Sequence, residues 1–550
     1  MLLTKSKLLA VAVFFESGRC QHQLNIPPIP KDSHTIPHDF QSISIEFAFF
    51  PDYAGNKSHP NHFTKNLLHN FKSITGVAPK VRVGGTSQDH ATYYPEQESN
   101  IDLVYQNPGD DQPIQINYGP AFFESYHTLG EIKYLHGLNM NQNTSVEQLE
   151  MSAMDACTAL GPQLHLFELG NEFNFAPGKY RASNYSLLDY ANEWNLKSEI
   201  VKTAADKACP GSFPGFMAPS LVLLDNIVNT TWTGEELYSL GYDENNLTRE
   251  LCFHKFVAPS LLQSLERSVL ILDFNSYMGV NSPPQLPAPF DLQRKATALG
   301  ISWALLTIAG TLMNHTSIVQ NLQQQIQRAD NLAYLGLPYT LGELNSIANQ
   351  GRNGATNVFG DALWLVDFSL WAAEHGMKRL HFHQGLNYRY ASWQPIGIQD
   401  VPPTTRPLYY GQIMVAHAIE DPHSRIVNIP LADDTESAYA IYNGTQLSKL
   451  VITNMRAFNQ TTINRPIRKY EFTLPAYQSA RIDRLIGPGS DAVGNITFGG
   501  ISYDHALDEG KPVRVRSEET TRIKHGVLRV EVPDSSAVLI TLLSPGHHHA

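Results

Sequence analysis

Charge is scarce in this chain. Asp, Glu, Lys and Arg make up 17% of its 550 residues, against about a quarter in an ordinary soluble protein. What charge there is leans acidic, to a net −12, and Lys and Arg gather into no patch beside the motifs described below. That argues against a nucleic-acid or anionic-membrane surface, either of which needs concentrated positive charge. Neutral or locally recognised ligands fit better. Cysteine is rarer still: Cys20, Cys157, Cys209 and Cys252 are the full set, without C-x-x-C spacing, so no cysteine-built metal site is expected. The chain also lacks internal repeats, low-complexity tracts and coiled-coil heptads. Its N-terminal apolar run, Leu8 to Phe15 after Lys5 and Lys7, is too short to cross a bilayer but has the length of a secretory signal's apolar region.

Residues 1–20 therefore read as a signal segment ending near Cys20. Nine Asn-x-Ser/Thr sequons, starting at Asn56, Asn143, Asn184, Asn229, Asn246, Asn314, Asn443, Asn459 and Asn495, favour the same route, and the expectation is a secreted, N-glycosylated protein. Three cysteines would then remain, enough for one disulfide and one free thiol, with no pairing assignable. The His547–His549 run near the C-terminus reads as a tail rather than a metal site, and no metal or cofactor is expected.

From about residue 35 to 406, short apolar strands alternate with helical segments, the pattern of parallel βα units. Eight strands can be placed: Gln41–Phe47, Lys80–Val83, Ile132–His136, Gln163–Leu169, Pro214–Ala218, Val269–Asn275, Pro338–Gly342 and Arg379–His383. Helices are expected over Ala296–Met313 and Val358–His375, where apolar residues recur at three- and four-residue spacing. The stretch Asn226–Ser268 shows no clear period and reads as an insertion. Eight such units predict an α/β fold, a TIM (β/α)8 barrel. Residues 407–545 change to short β-rich runs divided by Asn-Gly, Pro-Gly and Gly-Gly turns, without a helix of any length. They predict an antiparallel β-sandwich domain.

Two carboxylates stand where barrel enzymes keep their chemistry, at strand carboxyl ends. Glu172 follows the fourth strand in Phe167-Glu168-Leu169-Gly170-Asn171-Glu172, and Glu343 follows the seventh in Pro338-Tyr339-Thr340-Leu341-Gly342-Glu343. In an eight-stranded barrel these ends face each other across the mouth. An acid pair able to flank one sugar ring points to glycoside hydrolysis.

The surrounding segments sharpen that reading. Ser44-Ile45-Glu46-Phe47-Ala48-Phe49-Phe50-Pro51-Asp52, Arg82-Val83-Gly84-Gly85-Thr86-Ser87-Gln88-Asp89, Leu169-Gly170-Asn171-Glu172-Phe173-Asn174, Gly342-Glu343-Leu344-Asn345-Ser346, His381-Phe382-His383-Gln384-Gly385 and Leu485-Ile486-Gly487-Pro488-Gly489-Ser490-Asp491-Ala492 occur in order. Together they resemble glycoside hydrolase family 79, which includes β-glucuronidases and heparanases. The resemblance implies a retaining, exo-acting hydrolase of terminal β-linked glucuronic acid, acting as a monomer on a glycan substrate. Glu172 would be the acid/base and Glu343 the nucleophile. Asn171 would hold the sugar 2-hydroxyl, Tyr277 the nucleophile, and Tyr390 the uronate carboxylate, while Glu46, Asp89 and Gln350 would contact sugar hydroxyls. The family pattern carries a His just ahead of its Tyr, where this chain has Phe274-Asn275-Ser276. An endo-acting, heparanase-like hydrolase and an inactive carbohydrate-binding protein are the competing readings. The first would need a basic groove, and the second is disfavoured by the presence of both carboxylates.

Overall fold

The computed structural model describes residues 21–223, 232–256, 312–398 and 401–543. Its centre is a closed parallel barrel of β1 (Gln41–Glu46), β2 (Val81–Gly84), β3 (Tyr134–Leu138), β4 (Leu164–Leu169), β5 (Phe216–Leu223), β6 (Thr248–Phe256), β7 (Tyr339–Asn345) and β8 (Arg379–Gln384). Closure comes from β8 pairing with β1, Leu380 opposite Gln41 and Gln384 opposite Ile45. Outside it lie α1 (His62–Thr75), α2 (Val146–Leu160), α3 (Leu187–Ala208), α4 (His315–Asn331), α5 (Phe359–Glu374) and α6 (Pro407–Ala418). Local signals set their starts. Ser145 with Gln148, and Ser186 with Asp189, form capping boxes at α2 and α3, satisfying N–H groups that a helix start leaves unpaired.

Strand alternation explains how a barrel with an apolar exterior carries a polar site. Along β1, Ile43 and Ile45 pack into the main core between barrel and helices, while Ser44 and Glu46 point the other way, to polar partners within the barrel. Lower in the interior, Leu135, Leu166, Met217 and Cys252 make a small apolar cluster. Two residues further along each strand, β4 presents Glu168 and β6 presents His254, as the two-residue period of a strand requires. The interior is thus layered, with an apolar plug beneath the polar floor of the mouth.

The barrel reading stands, with corrections. The sixth strand is Thr248–Phe256, inside the stretch read from sequence as an insertion. Its sequence, Thr-Arg-Glu-Leu-Cys-Phe-His-Lys-Phe, breaks the apolar run because its interior positions serve a polar site. Val269–Asn275 and Tyr277 lie outside the described residues, as does all but the end of Ala296–Met313. A helix also follows Pro407, against expectation: α6 is fully apolar over most of its length because it is buried, and it packs on α5 and α1 as part of the barrel's shell.

The C-terminal domain is a β-sandwich. One large sheet runs from Ser424–Asn428 through Glu436–Asn443, Gln446–Asn454, Ser536–Leu543 and Ser479–Ile486 to shorter edge strands. A three-stranded sheet covers it, made of Ile467–Thr473, Val527–Pro533 and the N-terminal strand Gln21–Leu24. The residues before the barrel therefore belong physically to the sandwich. The large sheet is apolar on both faces. Ala438 and Ala440 point into the sandwich core, whereas Tyr439 and Ile441 join the barrel's core, where the Tyr439 hydroxyl donates to Asp367 Oδ1 of α5 at 2.5 Å. Cys157 of α2 is joined to Cys209 after α3, and Cys252 is a buried free thiol.

Candidate active site

Arg82 of β2 organises the barrel mouth. Its guanidinium is fully buried and donates to Glu168 Oε2 at 2.6 Å, Ser44 Oγ at 3.0 Å, Glu343 Oε2 at 2.5 Å and Asn171 Oδ1 at 2.7 Å. One planar cation thereby fixes side chains from β1, β4 and β7 together with the residue beside Glu172. Burial opposes its charge, and the carboxylates of Glu168 and Glu343 outweigh burial and hold it charged. Glu168 is fixed a second time by the Ser220 hydroxyl, 2.5 Å from its other oxygen. Its pKa is lowered to about 2, burial opposing and Arg82 prevailing.

Glu172 has a left-handed backbone, φ +53°, a conformation costing a non-glycine residue on the order of 1–3 kcal/mol. It is held there by its own N–H, which donates to Ser220 O at 2.9 Å. Its carboxylate Oε1 lies 3.2 Å from His254 Nδ1, and His254 Nε2 lies 3.6 Å from Glu168. Burial raises the Glu172 pKa, the His254 hydrogen bond opposes, and the charge of Glu343 raises it further. Glu343 goes the other way. Burial would raise it, but its neighbours His383 and Arg82 lower it. One carboxyl is thus biased to keep its proton and the other to lose it, which separates acid from nucleophile.

Among the remaining expected site residues, Glu46 accepts from the Ser87 N–H at 2.7 Å and from the Ser87 hydroxyl, while its second oxygen faces His383 Nε2 at 3.0 Å and the Tyr388 hydroxyl at 3.2 Å. Gly85 permits this approach: its φ is +91° and a Cβ would lie 2.6 Å from the Glu46 carboxylate. Asp89 is buried with both oxygens on backbone amides, Met140 N at 2.9 Å and Asn171 N at 2.7 Å. It thereby orients Asn171. Burial raises its pKa to about 7 against those two amides. Asn171 spends its carbonyl on Arg82, and its amide nitrogen has no partner among the described residues. Tyr390 is buried beside Tyr388 and His383, and its hydroxyl likewise has no partner among the described residues. Gln350, with φ +61°, accepts from Arg389 N and lines the cavity at the mouth. That cavity, about 440 Å³, is also bounded by Thr86, His90, Asp111, Gln112 and Lys179, a size within the range of ordinary ligand sites.

Arg82, Glu168, His254 and His383 carry the site's electrostatics and were not singled out from sequence. Three of them lie inside or beside the quoted motifs. His254 stood in the unassigned stretch, and the family's missing His was the signal that could have found it.

A parallel barrel bearing two carboxyl groups at the ends of β4 and β7, their pKa values shifted in opposite directions, defines the chain as a glycoside hydrolase. Comparison with known proteins agrees. Residues 438–539 match the glycosyl hydrolase family 79 C-terminal beta domain. The chain is 36% identical to a β-glucuronidase of Aspergillus niger across 96% of its own length and 95% of the relative's, and 31% identical to one of Neurospora crassa across 88% of each. A crystal structure of a 4-O-α-L-rhamnosyl-β-D-glucuronidase from Fusarium oxysporum shares the fold, with a TM-score of 0.73 at 20% identity over 94% of this chain and all of that one. The protein belongs to glycoside hydrolase family 79.

Proposed function

We propose that this enzyme releases terminal β-linked glucuronic acid from glycans with retention of configuration. The observation that carries the reading is the opposed bias of Glu172 and Glu343 within one Arg82-centred network. In the first step a Glu343 oxygen attacks the anomeric carbon as Glu172 passes its proton to the departing glycosidic oxygen, leaving a glucuronyl ester and free aglycone. In the second, Glu172, now a carboxylate, takes a proton from water, whose oxygen attacks the same carbon and frees Glu343. The Asn171 amide is free to donate to the sugar's 2-hydroxyl, a contact that strengthens in the transition state.

Two features support the uronate. Both relatives above 30% identity bear the name β-glucuronidase, and Tyr390 offers an unclaimed hydroxyl beside Glu343, whose charge acts on it. Exo action fits the commitment of two arginines to internal pairs, Arg82 with Glu168 and Glu343 and Arg389 with Asp111 at 2.7 Å, so that among the described residues Lys179 is the one Lys or Arg side chain lining the mouth cavity. We also read the protein as a secreted, glycosylated monomer, consistent with the Cys157–Cys209 link.

Tyr390→Phe tests the substrate. Removing a hydrogen bond to a charged group costs about 1.5–3 kcal/mol, or about ten- to a hundredfold in kcat/KM on an aryl β-glucuronide. The matching β-glucoside should lose almost nothing. Equal loss on both substrates, or on neither, would remove Tyr390 from uronate recognition.

A further inference from the structure

Beneath Glu172, three side chains of different chemistry converge in a way the glycosidase reaction does not require. Cys252 Sγ lies 4.0 Å from Glu168 Oε1, His254 Nε2 lies 3.6 Å from the same oxygen, and all three donor atoms fall within 4.8 Å of one another. A thiolate at about 2.3 Å and imidazole and carboxylate at about 2.0 Å from a tetrahedral zinc would stand roughly 3.3–3.6 Å apart. The Glu168–His254 and Glu168–Cys252 separations are within about half an ångström of that shell, and the three donors, all within 4.8 Å of one another, would draw together by up to about 1.3 Å to complete it.

The surroundings point the same way. His254 Nε2 is buried without a partner at hydrogen-bond distance; its nearest acceptor is Glu168 Oε1, at 3.6 Å. Cys252 is held in place because Gly342, opposite it, leaves room: any Cβ there would strike the sulfur. Leu135, Leu166 and Met217 surround the thiol, an apolar setting. Arg82 occupies only Glu168 Oε2, leaving Oε1 to the cluster. Glu168 Oε1 now receives the Ser220 hydroxyl, which would give way or remain at the open fourth position.

We propose that Glu168, Cys252 and His254 form a binding site for a thiophilic divalent cation of the zinc class, and that its occupation switches the hydrolase off. On binding, the thiol proton and the Nε2 proton leave and one divalent ion arrives, so the local charge is unchanged. What changes is position. The His254 ring is drawn toward the metal and away from Glu172, whose carboxyl group it positions from 3.2 Å. Binding does not depend on the glucuronide reading; the loss of turnover does depend on the hydrolase activity.

The full-length protein, stripped with chelator and dialysed against Co2+ or Zn2+, should retain one more metal equivalent than Cys252→Ser treated alongside. The cobalt form should show a thiolate charge-transfer band in the near ultraviolet. The His547–His549 run can bind cations through imidazole but produces no such band. Turnover of an aryl glycoside should fall by about tenfold or more as the site fills, as for other disturbed metal and catalytic environments, and return when chelator is added. The serine variant should escape this inhibition. The site is refuted if wild type shows no thiolate band, or if Cys252→Ser retains as much metal as wild type. Full occupation with unchanged turnover would refute the switch. Because the band is read on wild type alone, a serine variant that fails to fold does not shield the proposal.

Discussion

Replacing Arg82 with glutamine should reveal how strongly the site depends on one cation. The substitution keeps a polar side chain but removes the charge between Glu168 and Glu343, at 2.6 and 2.5 Å, and leaves the two buried carboxyl groups with only His254 and Ser220 beside Glu168 and His383 beside Glu343. Breaking a buried ion pair by removing one partner costs about 3–5 kcal/mol. With an unfolding entropy of about 2 cal/mol/K per residue, a chain of this size loses roughly one degree per kcal/mol, so Tm should fall by roughly 3–5 °C at neutral pH. The sign of the pH dependence follows from the carboxyl groups. Both have folded pKa values depressed below the unfolded ones, that of Glu168 to about 2. Their contribution is therefore fully present above about pH 4.3, the ordinary Glu value, and is lost as pH falls toward the folded values. The gap in Tm between wild type and variant should be widest near neutrality and narrow below pH 4. Differential scanning calorimetry across that range measures it. The acid limb of kcat/KM should also move to higher pH in the variant, since Glu343 loses a stabilising charge. A variant within a degree of wild type at pH 7, or a gap that does not change with pH, would show that Arg82 does not hold these groups in their charged form.

The opposed shifts of Glu343 and Glu172 predict a bell-shaped kcat/KM profile, its acid limb below and its alkaline limb above the usual glutamate range; an alkaline limb below that range would reverse the two roles. Glu343→Ala should abolish glycoside turnover while the protein still folds, with a Tm lowered by no more than a few degrees because Arg82 keeps Glu168, and azide should restore part of the turnover with inverted product; turnover near the wild-type rate would refute the nucleophile. Glu172→Ala, tested on an activated aryl glycoside that needs little protonation, should slow the second step more than the first. Intact mass spectrometry should then show the enzyme carrying one hexuronic acid, and its absence throughout turnover would refute either that role or the retaining mechanism.

Elements whose burial is uniform or whose ends carry local chemistry were readable in advance. The apolar stretches of β1, β4, β7 and β8 and the helix α5 met their expected places, because a strand or helix buried against the shell shows as an unbroken apolar signal. Glu172 and Glu343 were legible for a related reason, since the carboxyl end of a barrel strand is a position that sequence order can count to. β6 was not legible. Its inward residues, Glu250, Cys252 and His254, satisfy partners on other strands, so its local pattern is neither alternating nor apolar. That Asp89 holds the backbone of Met140 and Asn171 was likewise not legible from its motif.

By itself, the sequence determined most of the barrel's strands, though not β6 or α6, where the barrel yields to the sandwich to within one helix, and which two acids end β4 and β7. Those features depend on neighbours along the chain. Only the tertiary structure decided that Arg82, Ser44, Glu168, Asn171 and Glu343 meet at one guanidinium, that His254 stands between two carboxylates, and that the pKa of Glu172 is raised while that of Glu343 is lowered. Contacts between residues tens to hundreds of positions apart arise from barrel closure, and a pKa inside a dry cavity is set by the charges that closure brings within a few ångströms.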